Sequence, residues 1–221
     1  MLPHPLYDKA MKEAVPIVFV VDDEAVVRLS MTRLLRSVGL EARTFTSAQE
    51  FLLSDRTDAL GCLILDVRLP GLSGLELQER LAVEKTDLPI IFVTGFGDIP
   101  MSVRAMKAGA FEFLTKPFRE QDLLEAIQRC IKQHRIVKLQ TAELRMLQVR
   151  YALLTRRERE VFPCVTSGLI NREIATQLGA SQKTIKVHRG RVMQKMKAKS
   201  LTQLIHMAEK LGLSTPLGPP L

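Results

Sequence analysis

The chain has 221 residues, 46% of them hydrophobic and 25% charged, which is the composition of a globular protein with room for two domains. No apolar run approaches the roughly 18 residues of a membrane span, and the first residues lack the apolar core of a signal peptide. We therefore expect a cytoplasmic protein with no membrane partner. The three cysteines lie far apart without metal-ligand spacing, which predicts buried or semi-buried thiols in a reducing compartment.

The net charge of +8 is unevenly distributed along the chain. Residues 1–134 carry 16 basic and 19 acidic side chains, whereas residues 154–221 carry 12 basic and 4 acidic ones. No acidic residue occurs between Glu173 and Glu209. This asymmetry predicts a polyanionic partner for the C-terminal part alone.

Five apolar runs alternate with helical patterns in the first part of the chain. The predicted strands are Ile17–Val21, Leu40–Phe45, Cys62–Leu65, Pro89–Val93 and Phe111–Thr115. The predicted helices are Ala25–Val38, a short helix from a Ser47–Glu50 capping box to Leu53, Leu75–Val83, and a helix from the Asp98 cap to Ala108. This alternation is typical of a doubly wound parallel α/β domain, which we place at residues 15–134 after a tail at residues 1–14.

The second part of the chain is predicted to be helical throughout. After Asp122 no proline or glycine occurs until Pro163, which indicates one long helix or two consecutive ones, with a linker at residues 135–153. Residues 154–213 form a four-helix domain whose predicted helix starts are Thr155, Asn171, Ser181 and Ser200. Pro163 is expected to kink or shorten the first of these helices. We expect residues 214–221 to form a second tail.

Polar side chains follow the predicted strands of the α/β domain. Asp22 and Asp23 follow the first strand, Asp66 the third, Thr94 the fourth and Lys116 the fifth. Singly, an aspartate or threonine there could cap the next segment and the lysine could be solvated, but parallel strands bring all five to one edge. Three close carboxylates repel one another unless a cation joins them, and Mg²⁺ prefers such oxygen ligands. The central Asp66 would then be the nucleophile of covalent phosphoryl transfer.

This part of the chain resembles the receiver domain of two-component response regulators. The matching segments are VVDDE at Val20–Glu24, LILDVRLPGLSG at Leu63–Gly74, VTGFGD at Val93–Asp98 and AMKAGAFEFLTKPF at Ala105–Phe118. The resemblance implies a flavodoxin-like strand order of 2-1-3-4-5. It also implies that Asp66 accepts a phosphoryl group from a sensor histidine kinase, and that the domain catalyses nothing beyond its own phosphorylation and dephosphorylation.

The resemblance further implies how Mg²⁺ would be held. Asp23, Asp66 and the backbone carbonyl of Arg68 would be direct ligands. Asp22 would act through a metal-bound water.

The remaining receiver residues would act on the phosphoryl group and on the response to it. Thr94 and Lys116 would contact phosphoryl oxygens, and Phe113 would turn inward when Thr94 moves. Phe113 could equally be an ordinary core aromatic. The Lys116–Pro117 bond would correspond to the cis peptide of the family.

A basic helix follows a tight turn in the C-terminal domain. The helix Asn171–Leu178, the turn Gly179-Ala180 and a helix capped by Ser181 form a helix-turn-helix pattern. A basic run is usually a solvated face, but a run of one sign after a tight turn favours a recognition helix for double-stranded DNA.

The C-terminal domain resembles the LuxR-type helix-turn-helix of the NarL/FixJ family, and with the receiver the FixJ branch is the most similar. The matching segments are LTRREREVF at Leu154–Phe162, Gly168–Leu178 and TIKVHRGRVMQKMKAKSLTQLIHMA at Thr184–Ala208. The candidate DNA contacts are Thr184, Lys186, Val187 and Arg191, with Lys183 and His188 as weaker ones. His188 could instead brace the helix. Gly190 departs from the family pattern: a glycine here costs roughly 1 kcal/mol of helix propensity and offers no side chain to a base.

These observations predict a transcription regulator, most simply an activator that works with RNA polymerase. Phosphorylation of Asp66 would drive homodimerisation through Ile99–Phe113 or Leu201–Leu211, and thereby promoter binding. One alternative is a phosphatase with Asp66 as nucleophile, which would need a second acid where Arg68 stands. The other is a regulator controlled by a small-molecule ligand, whose sensor would lack the receiver's set of carboxylates, threonine and lysine.

Overall fold

The computed structural model describes residues 15–54, 59–95 and 98–213. Within these ranges the chain forms two compact units that divide between Leu139 and Gln140. The strands are β1 Ile17–Val21, β2 Glu41–Phe45, β3 Gly61–Leu65, β4 Ile90–Thr94 and β5 Glu112–Thr115. The helices are α1 Ala25–Ser37, α2 Ala48–Leu53, α3 Gly74–Val83, α4 Ile99–Lys107, α5 Glu120–Ala152, α6 Arg156–Thr166, α7 Asn171–Leu178, α8 Gln182–Met196 and α9 Leu201–Lys210.

The five strands form one parallel sheet in the order β2-β1-β3-β4-β5, which confirms the strand order that the resemblance implied. Val21, the last residue of β1, lies beside Phe45 and Leu65, the last residues of its two neighbours. At the other side of the sheet, Thr94 lies beside Thr115. The carboxyl ends of the strands are therefore level with one another, and the residues that follow them meet at one edge.

Helices cover both faces of this sheet, as a doubly wound fold requires. Alternate strand residues point to opposite faces. Phe19, Leu63 and Phe92 belong to a core that includes residues of α2, α3 and α4. Val18 and Ile64 belong to a second core with residues of α1 and of the first part of α5. The predicted fold class is therefore confirmed.

Capping interactions fix where several helices begin. Ser73 with Glu76 and Thr155 with Glu158 form reciprocal capping boxes at the starts of α3 and α6. The box predicted at the start of α2 is wrong in one half: Ser47 accepts from the Glu50 amide, but the Glu50 carboxylate bonds Thr46 instead of Ser47. Thr46 donates to the same Glu50 oxygen from its amide at 2.6 Å and from its hydroxyl at 2.8 Å.

The predicted linker lies within one uninterrupted helix, α5. Of the two arrangements that the sequence left open, the chain adopts the single helix. Near its start Leu123 is buried in the core of the first unit, and near its end Leu147 is buried in the core of the second. The buried His134 lies between these points, with its Nδ1 2.7 Å from the carbonyl oxygen of Gly61 in β3.

The second unit is an all-helical domain around its own core. Residues of the end of α5 and of α6, α7, α8 and α9 contribute to this core. Pro163 does not shorten α6, which continues to Thr166. Phe162 and Val165, on either side of the proline, are fully buried, and this burial holds the last turn against a proline cost of about 3 kcal/mol.

Two further sequence expectations concern the cysteines and the membrane. Cys62, Cys130 and Cys164 are buried and free of disulfides, as predicted. Within the ranges that the structure describes, no helix combines the length and the apolar character needed to cross a membrane.

Candidate functional site

Two buried carboxylates share one ammonium group at the carboxyl edge of the sheet. Lys116 Nζ lies 2.9 Å from Asp22 Oδ2 and 3.0 Å from Asp66 Oδ2. Asp22 is 3% exposed and Asp66 8% exposed. The convergence that was expected from the strand ends is present for these three side chains.

Backbone amides hold the second oxygen of each carboxylate. Asp22 Oδ1 accepts a hydrogen bond from the Glu24 amide at 2.9 Å, and Asp66 Oδ1 accepts one from the Arg68 amide at 3.0 Å. The Asp66 amide in turn donates to the carbonyl of Val21 at 3.0 Å, which ties the end of β3 to the end of β1. Each aspartate thus uses one oxygen to shape its own loop and directs the other towards the ammonium group.

The site holds more negative charge than it neutralises. Burial raises the pKa of Asp22, and the charge of Asp66 adds to this, although Lys116 and the Glu24 amide oppose the shift. Burial alone would lower the pKa of Lys116, but hydrogen bonds to both aspartates outweigh it and raise the pKa. The lysine is therefore held charged, while Asp22 remains only partly compensated.

The other predicted receiver residues lie on or directly after β1, β3, β4 and β5. Thr94 is fully buried at the end of β4, and its carbonyl accepts a hydrogen bond from the Lys116 amide at 2.8 Å. Asp23 and the Arg68 side chain are exposed beside the cluster. Phe113 is half-buried, with its ring centroid 6.0 Å from that of Phe92. The Lys116–Pro117 bond is cis.

The donor set suits Mg²⁺. Its groups are carboxylate and carbonyl oxygens, and a cation would favour the ionised form of Asp22, whose pKa is raised by burial and, to a lesser extent, by the charge of Asp66. Among the described residues, no three His, Cys, Asp or Glu side chains come close enough to hold a metal by themselves. Mg²⁺ usually keeps several waters and uses only one or two carboxylates, so the residues present fit this ion.

One residue of the site was not predicted from the sequence. Arg28, in α1, donates from Nη1 to the carbonyl oxygens of Asp22 at 2.7 Å and Asp23 at 2.8 Å. One guanidinium nitrogen thereby fixes the backbone of both acidic residues. In the sequence, Arg28 is a basic residue six positions after Asp22 and five after Asp23. It lies near the start of a helix whose polar face carries other basic residues, so the pattern does not single it out.

Asp22→Asn is expected to stabilise the first unit by about 1 kcal/mol at pH 7 without divalent cations, since single substitutions with a named cause act on this scale. The pKa of Asp22 is higher in the folded chain, so its ionisation opposes folding. Its contribution to stability is present at low pH and declines as pH rises from about 3.9 through the folded pKa. Urea unfolding followed by circular dichroism measures the effect. A less stable Asp22→Asn protein would contradict it, and Asp23→Asn is the exposed control.

A second candidate surface lies on α8. Ile185, Val192 and Met196 are fully buried on one side of this helix. The preceding turn is tight, because Gly179 adopts a left-handed conformation at φ 60° and the Ala180 amide donates back to Ala175 at 3.0 Å. Helix, turn and helix are thus arranged as the sequence predicted.

The predicted DNA contacts of α8 differ in their exposure and in their contacts within the chain. Exposed side chains are those of Lys183, Lys186, Val187 and Arg191. Thr184 is also exposed, but its hydroxyl lies 2.8 Å from that of Ser181, the residue that caps the helix. His188 is half-buried, and its Nδ1 is enclosed without a hydrogen-bond partner among the described residues.

Two further basic residues of α8 are engaged inside the domain. Lys195 Nζ lies 2.6 Å from the carboxylate of Glu158 and 3.1 Å from the carbonyl of Leu153. Arg189 donates to Asn171 Oδ1 at 3.3 Å. The exposed positive charge of this helix is therefore smaller than its sequence suggests.

Both units match known families. Residues 18–128 match the response regulator receiver domain, and residues 152–208 match the luxR family of bacterial regulatory proteins. Nodulation protein W of Bradyrhizobium diazoefficiens is 50% identical over 198 residues, which are 90% of this chain and 87% of that protein. The transcriptional regulatory protein FixJ of the same organism is 39% identical, over 89% of this chain and 96% of FixJ.

A solved structure agrees with both matches. The response regulator StyR is 47% identical, superposes with a TM-score of 0.82, and covers 89% of this chain and 100% of its own. The chain therefore belongs to the NarL/FixJ family of two-component response regulators, in which a receiver domain is joined to a LuxR-type DNA-binding domain.

Proposed function

We propose that this protein is a transcription regulator that is switched by phosphorylation of Asp66. A sensor histidine kinase donates the phosphoryl group, and the phosphorylated chain dimerises and binds promoter DNA through α8. The observation that carries this proposal is the buried Lys116 ammonium between Asp22 and Asp66 at the carboxyl edge of the sheet. Such a cluster is better explained by a role in phosphoryl transfer than by a contribution to the stability of the fold.

Asp66 is the nucleophile of the proposed transfer. Its Oδ1 is held by the Arg68 amide, and its Oδ2 faces Lys116. Attack of a carboxylate oxygen on phosphorus forms the acyl phosphate, while the imidazole of the donor phosphohistidine leaves. Lys116 and the Thr94 hydroxyl bind the phosphoryl oxygens.

The backbone around the acidic pair prepares the site for a cation. Mg²⁺, held directly by Asp23, Asp66 and the Arg68 carbonyl and through a water by Asp22, would neutralise phosphoryl charge. Arg28 holds the backbone carbonyls of Asp22 and Asp23 in place, and this fixes the direction in which both side chains point.

The charge that phosphorylation adds at Asp66 switches the receiver domain to a second state. Phosphorylation adds about −1.5 to −2 charges beside carboxylates that are already undercompensated. Lys116 and Thr94 are drawn to the phosphoryl group, and Phe113, which lies beside Phe92 on the strand that Thr94 ends, turns inward when Thr94 moves. The face formed by α4 and β5 then changes its surface. Ile99, Val103 and Met106 of α4 are exposed apolar residues on which a second copy can dock.

DNA binding is assigned to the exposed face of α8. Lys183, Lys186 and Arg191 supply positive charge for phosphates and base edges, and Val187 supplies an apolar contact for a thymine methyl group. Promoter binding by a dimer, next to RNA polymerase, would make the protein an activator.

Phosphatase activity is the weaker proposal. The residue two positions after the nucleophile is Arg68, whose side chain is exposed and has no acid function. The relatives FixJ and StyR are named as a transcriptional regulatory protein and a response regulator, respectively.

Dimerisation is expected to follow phosphorylation. With acetyl phosphate and MgCl₂, light scattering of the wild-type chain is expected to show a dimer, and Ile99→Glu is expected to take up the phosphoryl group but remain monomeric. Ile99 is 79% exposed, so the substitution places a charge in the docking face without disturbing the core. Val83→Glu, at an exposed site on α3, is the control. Equal masses with and without acetyl phosphate would contradict this part of the proposal.

A further inference from the structure

Gly190 has no evident reason to be glycine within the chain itself. It lies inside the 15-residue helix α8, where glycine is less favourable than any other residue except proline. Its φ is not positive, it is exposed, and a Cβ atom added to it would meet nothing within 4 Å. Alanine would therefore fit this position in the free protein and favour the helix.

Other glycines of the described residues meet local requirements that Gly190 does not share. Six have φ angles between 60° and 92°, a conformation that side chains rarely adopt. A Cβ on Gly61 or Gly74 would lie 1.7 or 2.2 Å from a backbone oxygen. Gly95 also has open space around it, but it lies outside any helix and directly follows Thr94 at the proposed phosphoryl site. Gly190 is the one that lies in a helix interior with open space around it.

The space that Gly190 leaves open lies in the middle of the exposed face of α8. Lys183, Val187, Gly190 and Gln194 follow one another at steps of four, three and four residues, which places them on one face of a helix. The buried residues of α8 lie on the other side. Lys186 precedes Gly190 by one turn, and no acidic residue occurs between Glu173 and Glu209, so a polyanion is the partner that this surface suits.

We propose that the sugar–phosphate backbone of duplex DNA lies directly against the helix at Gly190, which makes this glycine a contact position. The inference rests on the proposed DNA binding by α8. The major groove is about 12 Å wide, and a helix with its side chains is about 10–12 Å across, so the fit has little clearance. The absence of a side chain in the middle of this face allows the helix to lie deeper between the two strands.

Substitution of Gly190 is expected to change the stability of the DNA-binding unit and its affinity for DNA in opposite directions. In the phosphorylated full-length chain, Gly190→Ala is expected to raise the unfolding temperature of the DNA-binding unit by about 4–8 °C. The same substitution is expected to weaken DNA binding about tenfold, equivalent to about 1.4 kcal/mol, and Gly190→Leu is expected to weaken it further. Fluorescence anisotropy with a mixed-sequence 30-base-pair duplex measures the affinity, because a backbone contact acts at every sequence.

The control is Gln148→Leu, which adds apolar bulk at an exposed helical site outside α8 and is expected to leave DNA affinity unchanged. Wild-type affinity in both Gly190→Ala and Gly190→Leu would overturn the inference while leaving the proposed function intact. Absence of DNA binding by the phosphorylated wild-type chain would overturn both.

Discussion

Asp66→Asn is expected to abolish phosphoryl uptake from acetyl phosphate in the presence of MgCl₂, while the receiver remains folded. The amide lacks the nucleophilic oxygen that Asp66 Oδ2 provides beside Lys116, but its carbonyl can still accept from the Arg68 amide. The substitution also removes one of the two negative charges around Lys116, which relieves repulsion with Asp22. Loss of labelling will therefore not come from unfolding.

Labelling with radioactive acetyl phosphate, read on a denaturing gel, measures this result, and circular dichroism confirms the fold. Asp122→Asn removes an exposed carboxylate that pairs with Arg119, and this control is expected to label as the wild-type chain does. Labelling of Asp66→Asn at the wild-type level would show that the phosphoryl group enters elsewhere.

Lys195→Met is expected to destabilise the DNA-binding unit by about 2 kcal/mol at pH 7. Glu158 is 1% exposed, and the substitution would leave its carboxylate buried without the ammonium group that lies 2.6 Å away. Breaking a fully buried pair costs about 3–5 kcal/mol, and the expected value is lower because Lys195 is one-third exposed. Urea unfolding of the full-length chain, followed by circular dichroism, measures the change.

The same pair predicts a pH dependence. Burial alone would raise the pKa of Glu158, but hydrogen bonds from Lys195 and from the amide and hydroxyl of Thr155 outweigh it and lower the pKa. The stability that this carboxylate contributes is therefore present above its unfolded pKa of about 4.3 and is lost as pH falls through the folded value. Lys195→Met should weaken this acid dependence.

Lys183→Met is the matched control for this prediction, because it removes an exposed lysine from the same helix and is expected to change stability by less than about 0.5 kcal/mol. Equal stability losses in the two variants would mean that the Glu158 contact contributes nothing specific.

The sequence predicts those features that depend on local pattern or on the topology of parallel sheets. The meeting of Asp22, Asp66 and Lys116 could be expected because residues after parallel strands share one edge, although 94 positions separate the first from the last. The bounds of the strands follow from apolar runs between turn residues, and β3 differs from its predicted range by one residue.

Contacts that depend on tertiary packing could not be read in this way. Lys195 belongs to a run of basic residues, and only the approach of α6 to α8 shows that it binds Glu158 and not a phosphate. The contact of Arg28 with two backbone carbonyls involves no partner side chain, so no pattern in the sequence indicates it. Even a local prediction failed at α2, where the Glu50 carboxylate accepts from the amide and hydroxyl of Thr46 and not from the capping serine.

The central claim is that one phosphoryl group on Asp66 controls how α8 binds DNA. The most direct test is to recover bound fragments from a genomic DNA library with the full-length chain, with and without acetyl phosphate, and to measure affinity for those fragments by anisotropy. Phosphorylation is expected to raise the affinity of the wild-type chain at least about tenfold, equivalent to about 1.4 kcal/mol, and to leave Asp66→Asn unchanged. The same fragments bound with the same affinity in both states, or an Asp66→Asn protein that still responds, would contradict the claim.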